Sequence, residues 1–475
     1  MIDFDTDFRR AYPSYGTTRR LDDLRASEYA YLDAEDHVYL DYTGSGLPAD
    51  SQLRAHADRV RGACFGNPHS ENPTSSASTA LVESARAAIL AFFNASPDEY
   101  AVIFTHNATG ACRLVGEAYP FRPGSRVVLT IDNHNSANGI REFARAGGAT
   151  VRYVPVRPPE LRAGTEEVRA ALSRRRHRRG LFVFPAQSNF TGVQHPLSWI
   201  ELAHEQGYDV LLDAAAYVPA NRLDLGEVHP DFVPVSWYKV FGYPTGVGCL
   251  LARWEALGRL RRPWFAGGTI HAASALGGWH VLADDETAFE DGTLNFLSIP
   301  DVETGLAWVS GIGMDLIHRR VTCLTGWLLD RLRDLRHTDG TPLIRLYGPP
   351  GTAGRGGTVA FNVLTPRGEV VDERVVARDA TAGRISLRTG CFCNPGAGEG
   401  AFAITEKALT KSGRRTSASL DEHLRFLGLP SGGAIRASFG LASNLRDVER
   451  FLAFLEETYL DRMPDESGLR PRERC

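Results

Sequence analysis

Through the middle of the chain, short apolar runs alternate with longer stretches whose apolar residues recur at helical spacing. The runs cover 101–104, 125–130, 151–154, 180–184, 209–212, 232–235 and 248–251, and they are rich in Val, Leu, Ile and Phe. Helix-sized segments lie between several of them, at 165–175 and 198–206 for example. This alternation predicts βαβ units and an α/β architecture, a mainly parallel sheet covered on both faces. Ligands on such a sheet bind beyond the carboxyl ends of the strands, so the polar residues that follow each run are the ones to weigh for chemistry. From 301 to 335 the pattern becomes one long helical stretch, with Ile312, Leu316, Leu324, Leu328 and Leu332 in phase, and it reads as a bridge to a second unit. Residues from 345 onward read as a smaller α+β unit with a glycine-rich stretch at 348–357 and a polar loop around 411–419. The charged end from Pro464 is expected to be a disordered tail.

Composition narrows the function classes. With 43% hydrophobic and 23% charged residues, the 475-residue chain is expected to be soluble and globular. Its net charge of −4 and its interspersed arginines argue against a nucleic-acid partner, and the dense basic run at 174–179 reads as a solvated helix end. The acidic start, Met1-Ile-Asp-Phe-Asp, lacks the basic and apolar regions of a secretory signal, and no apolar run reaches membrane-spanning length. Seven cysteines, an odd number spread from Cys64 to Cys475, argue against a disulfide framework and for a reducing cytoplasm. Cys64, Cys112, Cys249 and Cys323 sit in apolar patterns and read as packing residues.

Charge usage singles out one residue. The chain has fifty arginines and three lysines, yet Lys239 stands in the aromatic and apolar run Val233-Pro-Val-Ser-Trp-Tyr-Lys-Val-Phe-Gly-Tyr243. Arginine cannot shed its proton and attack a carbonyl, whereas a lysine amine can. A Schiff base and a side chain snorkelling its head into water are both open readings of Lys239. Asp213 follows the run 209–212, twenty-six positions earlier, either as a helix N-cap or as a carboxylate facing a pyridinium nitrogen. His134, after another run, either stacks on a cofactor ring or is a solvated loop residue. Asn107-Ala-Thr109-Gly110 offers backbone N–H groups and a hydroxyl at a helix start, suited to a phosphate or to ordinary capping.

Six segments together carry a family resemblance: Tyr39-Leu-Asp-Tyr-Thr-Gly-Ser-Gly46, Gly66-Asn-Pro-His-Ser70, Phe184-Pro-Ala-Gln-Ser-Asn-Phe-Thr-Gly192, 231–246 around Lys239, Arg388-Thr-Gly-Cys-Phe-Cys-Asn-Pro-Gly396 and Ile435-Arg-Ala-Ser-Phe-Gly440. Over residues 35 to 460 the chain resembles a fold-type I pyridoxal-phosphate enzyme of the class V aminotransferase group, and within it the cysteine desulfurase domain of molybdenum cofactor sulfurases. The resemblance implies a large domain at 35–310, a small C-terminal domain at 311–463, an N-terminal segment at 1–34 packing on the small domain, and a tail at 464–475. It implies pyridoxal 5'-phosphate as cofactor, with Lys239 as the Schiff-base lysine, Asp213 as the pyridinium partner and His134 as the ring-stacking residue. Asn189 would reach the cofactor's phenolic oxygen or the substrate. Ala108, Thr109 and Ser236 would hold the phosphate. Thr269, in Phe265-Ala-Gly-Gly-Thr269, resembles the residue that reaches a phosphate in the neighbouring subunit, which implies a homodimer. Arg436 would pair with the substrate α-carboxylate, and Arg388 would also bind the substrate.

Cys393 aligns with the cysteine that receives sulfur in similar desulfurases, and Arg388 nearby would favour its thiolate. Cys391, two residues earlier, would face the same way in an extended segment and so shield, resolve or accept sulfur from Cys393. A metal pair needs more ligands than the neighbourhood supplies, and no metal is expected. The implied reaction converts L-cysteine to alanine and leaves a persulfide on Cys393 for transfer to an acceptor protein or cofactor. The rival reading keeps pyridoxal phosphate but not Cys393: an epimerase, C–S lyase, decarboxylase or aminotransferase. Ala216 stands where many desulfurases carry glutamine, and Gly398 where the sulfurase branch often has another cysteine. Eukaryotic members of that branch continue into a molybdopterin-binding domain, for which these residues are expected to hold no counterpart.

Overall fold

In the computed structural model, which describes residues 4–68, 70–173, 179–412, 419–429 and 431–472, all seven apolar runs become strands of one sheet. Their order is Tyr100–Thr105, Gly248–Arg253, Phe232–Ser236, Tyr208–Asp213, Gly180–Pro185, Arg126–Thr130 and Thr150–Val154. Gly248–Arg253 alone among them runs against its neighbours. The remaining pairs are parallel, and a parallel pair needs a crossover, which Trp199–Glu205 supplies between Gly180–Pro185 and Tyr208–Asp213. The uniformly apolar strands follow from burial on both faces. In Gly180–Pro185, Phe182 and Phe184 enter one apolar layer and Leu181 and Val183 the other.

The helix expected at 165–175 is Thr165–Leu172, and Arg179 beyond it pairs with Asp209 at 2.6 Å. The rest of the basic run, 174–178, lies outside the described residues, as do His69 and 413–418 of the polar loop. The single long helix expected over 301–335 is two, Pro300–Ile312 and Met314–Asp334, because Gly313 between them has φ +97°, a conformation that L side chains resist.

A second, four-stranded antiparallel sheet has the order Ile344–Tyr347, Thr358–Val363, Ala434–Ser438 and Arg388–Gly390. The glycine-rich stretch before Thr358 reaches back to the first sheet: Gly356 N donates to Gly192 O at 2.8 Å, and Arg355 to Thr191 O at 2.9 Å. The 186–194 loop is thereby fixed between the two sheets. The N-terminal helices are tied to the same half of the chain as this second sheet. Buried Arg25 donates to Asp447 at 2.7 Å, and buried Arg320 bonds Thr18 and Asp22 at 2.7 and 2.6 Å.

The expectation of a disordered tail is corrected over its described residues, 464–472, while 473–475 lie outside the described residues. Arg472 pairs with Asp372 and Glu373 at 2.7 Å and with Asp421 at 2.5 Å. The charges that suggest a solvated tail are answered by acids on helices far away in sequence. Among the described residues no helix is long and apolar enough to cross a membrane, and no group of three or more His, Cys, Asp or Glu is placed to hold a metal.

Candidate functional site

At the carboxyl ends of the parallel strands lies a cavity of about 160 Å³ lined by Thr109, His134, Asn189, Asp213, Ser236 and Lys239, with Ala108 beside them. Each is delivered by a strand end or by the turn or helix that follows it. Asp213 ends the wholly buried strand Tyr208–Asp213, and Ser236 ends Phe232–Ser236. Lys239 follows on the short helix Trp237–Phe241. Across the cavity, the helix Ala108–Ala118 begins with Asn107 as its cap, and Ala108 N donates to Ser236 Oγ at 2.9 Å. Ser136, which the sequence reading missed, joins two expected residues: its hydroxyl lies 2.7 Å from Thr109 Oγ1 and 2.9 Å from His134 Nδ1.

The electrostatics follow from burial. The Lys239 amine is held below the ordinary lysine range chiefly by desolvation; Asp213 opposes this, and Arg436 and Arg388 reinforce it. A lysine that gives up its proton readily is a better nucleophile and base. His134 is lowered by burial first and by the Lys239 charge second. Its Nδ1 accepts the Ser136 N–H at 3.1 Å, which places the proton of the neutral ring on Nε2. Asp213 Oδ1 accepts from Ala215 N at 3.0 Å within a turn, and no helix starts there for it to cap.

Arg388 and Arg436 are cross-strand partners in the second sheet. Asp41, absent from the expected set, sits between them: Oδ1 takes Arg436 at 2.8 Å and Oδ2 takes Arg388 at 2.6 Å. Arg436 is buried, its guanidinium lowered by desolvation against the pull of Asp41, and it lies 4.8 Å from the centre of the Phe392 ring. Asn189 links this cluster to the cavity. Its carbonyl accepts from Arg436 at 3.0 Å while its side chain lines the cavity wall. Its amide is engaged with the cysteine segment, Nδ2 donating to Phe392 O at 2.8 Å.

That segment is not extended. Asn394 N donates to Cys391 O at 2.9 Å, closing a turn whose two central residues, Phe392 and Cys393, have φ +56° and +54°. Positive φ at both centres is the sense of a type I′ turn, and non-glycine residues adopt it at a cost of about 1–3 kcal/mol each. Two residues apart on such a turn do not share a face, which corrects the expected Cys391–Cys393 alignment. Cys391 is moreover disulfide-bonded, so it is no spare thiol for Cys393, and the expectation of free thiols fails at that position. Cys393 is free and exposed at the turn, within electrostatic reach of the Arg388 guanidinium. Cys112, Cys249 and Cys323 are buried as expected, but Cys64, in the loop after the helix Asp50–Gly62, is exposed. Thr269 is not brought to the cavity: it is buried in its own turn, its hydroxyl 2.8 Å from both Ala266 N and Ala266 O.

The residues that sequence reasoning missed, Asp41, Ser136 and Asn394, stand inside or beside the segments it singled out. Their signal was membership of those segments, since an Asp, a Ser or an Asn has no periodicity to betray it.

The chain is 33% identical to molybdenum cofactor sulfurase of Solanum lycopersicum over 501 aligned positions, covering 99% of this chain and 61% of that protein. It is 36% identical to molybdenum cofactor sulfurase of Homo sapiens, covering 93% of this chain and 51% of that protein. The chain thus spans about half to three fifths of the length of these relatives. Among solved structures, the apo cysteine desulfurase from Thermococcus onnurineus NA1 superposes with a TM-score of 0.76 at 24% identity, covering 92% of this chain and 97% of that one. The cysteine desulfurase CsdA from Escherichia coli gives 0.71 at 22%, covering 91% and 96%. These likenesses share the two-sheet α/β fold, and the aminotransferase class-V model matches residues 38–451: the chain belongs to the class-V aminotransferase family.

Proposed function

We propose that this chain is a pyridoxal-phosphate-dependent cysteine desulfurase that moves sulfur from L-cysteine to Cys393. The donor set fits the cofactor: Asp213 for the pyridinium nitrogen, Ser236, Thr109 and the Ala108 end of the helix for the phosphate, Lys239 for the aldehyde carbon and His134 for the ring face. Bound there, the cofactor supplies an electron sink for negative charge developing at the substrate α-carbon. Arg436, rigid and buried, would pair with the α-carboxylate, with Arg388 and Asp41 setting the charge around it. The amine of Lys239, poised by burial, would move the α-proton.

The observation that carries the desulfurase reading is the Cys393 turn. A free, exposed thiol stands on a turn whose Phe392 carbonyl is held by Asn189, a residue that also lines the Lys239 cavity. The Cys393 thiolate would attack the substrate sulfur. An S–S bond forms, the Cβ–S bond breaks, and Cβ takes a proton to give alanine and an enzyme persulfide.

The proposal extends to a homodimer, in which Thr269 would serve the partner's phosphate site only once its hydroxyl is released from Ala266. It is supported by the exposed apolar side chains Trp264, Phe265, Leu276, Trp279 and Val281 on and beside the hairpin Ile270–Ser274 and Trp279–Leu282. Domains at 35–310 and 311–463 agree with the two sheets; the exposed free thiols Cys64 and Cys393 suit a reducing cytoplasm, and the Cys391 disulfide argues against it. The sulfur acceptor would be a protein or cofactor docking at the exposed turn. Incubation with L-cysteine, assaying alanine and sulfide, tests the function. Alanine should form with the wild type and be lost in Lys239→Ala and Cys393→Ser; turnover of another amino acid with full activity in Cys393→Ser removes the desulfurase reading.

A further inference from the structure

We propose that Asn394 is a positioning residue that docks the Cys393 turn onto the loop bearing His134, so that the thiol is presented to the cavity in one pose. The inference rests on the persulfide reading of Cys393. Asn394 is fully buried, and its side-chain amide joins two separate segments while its oxygen caps the helix that follows. Nδ2 donates to Asp132 O at 2.7 Å and to Asn189 Oδ1 at 2.8 Å, while Oδ1 accepts Ala397 N at 3.1 Å and caps the helix Pro395–Ala401. The two residues before it are tethered to the same wall. Asn135 N donates to Cys393 O at 2.7 Å, and Asn189 Nδ2 to Phe392 O at 2.8 Å. Contact continues after it: a Cβ on Gly396 would lie 2.0 Å from Ile131 O, so the chain presses directly against the His134 loop.

The wall itself is fixed. Asp132 Oδ2 pairs with His195 Nε2 at 2.8 Å with both side chains buried, and the His195 ring stacks on Trp199 at 5.0 Å. Against this platform stands a turn whose two central residues occupy an unfavourable backbone region. A turn of that kind persists where its surroundings over-determine it. Three consecutive residues, Phe392, Cys393 and Asn394, are each bonded to Asn189 or to the loop 132–135, and those bonds, with the disulfide on Cys391, over-determine it. Of the three tethers, Asn394 is the one whose side chain donates to both segments at once.

Asn394→Asp separates docking from capping. The carboxylate keeps the size and the oxygen that caps the helix, but it turns the two donated bonds into contacts between acceptors. In cofactor-free protein, Cys393 should be alkylated by iodoacetamide several-fold faster in Asn394→Asp than in the wild type. In the holoenzyme, alanine formation from L-cysteine should fall about 10- to 100-fold, the scale of a misplaced reacting group, while exchange of the substrate α-proton in deuterium oxide stays close to wild type. If the carboxylate impairs folding, Asn394→Ser, with a capping hydroxyl and neither donor, takes its place with the same readouts. Unchanged alkylation, or alanine formation and α-proton exchange falling together, overturns the docking role. A fully active Cys393→Ser enzyme sinks the persulfide reading instead, and the alkylation rate still decides the docking.

Discussion

Asp41 holds two arginines that would otherwise face each other across neighbouring strands, and one of them, Arg436, is buried. Removing one member of such a cluster leaves an uncompensated charge out of water. Asp41→Ala is expected to destabilise the protein by about 3–5 kcal/mol, measured by urea denaturation; a loss below ~1 kcal/mol would show that Arg436 is not held by this carboxylate. Lys239 makes a prediction about pH. Because its native amine is lowered by burial, native and unfolded chains are both protonated at low pH, and the native one sheds its proton first as pH climbs toward the ordinary lysine range. Stability therefore rises with pH through that window. In cofactor-free protein, the stability of wild type relative to Lys239→Met should grow as pH is raised across it, and a flat difference contradicts the burial argument. Lys239 and Asp213 were legible in the sequence because each is a charge set against an apolar run. Asp41 and Asn394 were not, because their meaning lies in partners on other segments: Arg436 is 395 positions from Asp41.

The strands were the most legible elements, since burial on both faces writes each one as a short unbroken apolar run. The break at Gly313 was not, because an apolar helical spacing carries across one residue without showing that its φ has changed sign. Gly313→Ala should cost about 1–3 kcal/mol in chemical denaturation if that break is required by the packing of the two helices. The turn at 391–394 does not show in the pattern because Phe and Cys are not turn formers; the tethers around them and the disulfide on Cys391 hold the conformation. On the helix Met314–Asp334, Arg320 is fully buried and bonds Thr18, Asp22 and Ser443 while lying 4.3 Å from the Tyr15 ring centre. Arg320→Ala should release the N-terminal segment, read as faster proteolytic cleavage before residue 35 with the rest of the chain protected. Equal cleavage in both proteins would mean the segment is held by its apolar contacts alone.

Across the whole molecule, the first sheet presents the cavity and the second presents the arginine pair and the cysteine turn. Asn189, on a loop braced by both, is where the two meet. This division explains why function could be read from scattered motifs yet not from any one of them: no single segment contains more than part of the site. The proposed homodimer predicts that sedimentation of the wild type gives twice the chain mass, and that replacing exposed Leu276 and Trp279 with Ser shifts it toward monomer. The central claim, that sulfur passes from substrate to Cys393, is tested most directly by peptide mass analysis after a single turnover of L-cysteine without reductant. The account predicts one added sulfur on the peptide containing Cys393, in step with the alanine formed. Alanine formed at the same rate by Cys393→Ser, with no added sulfur on that peptide in the wild type, would contradict it.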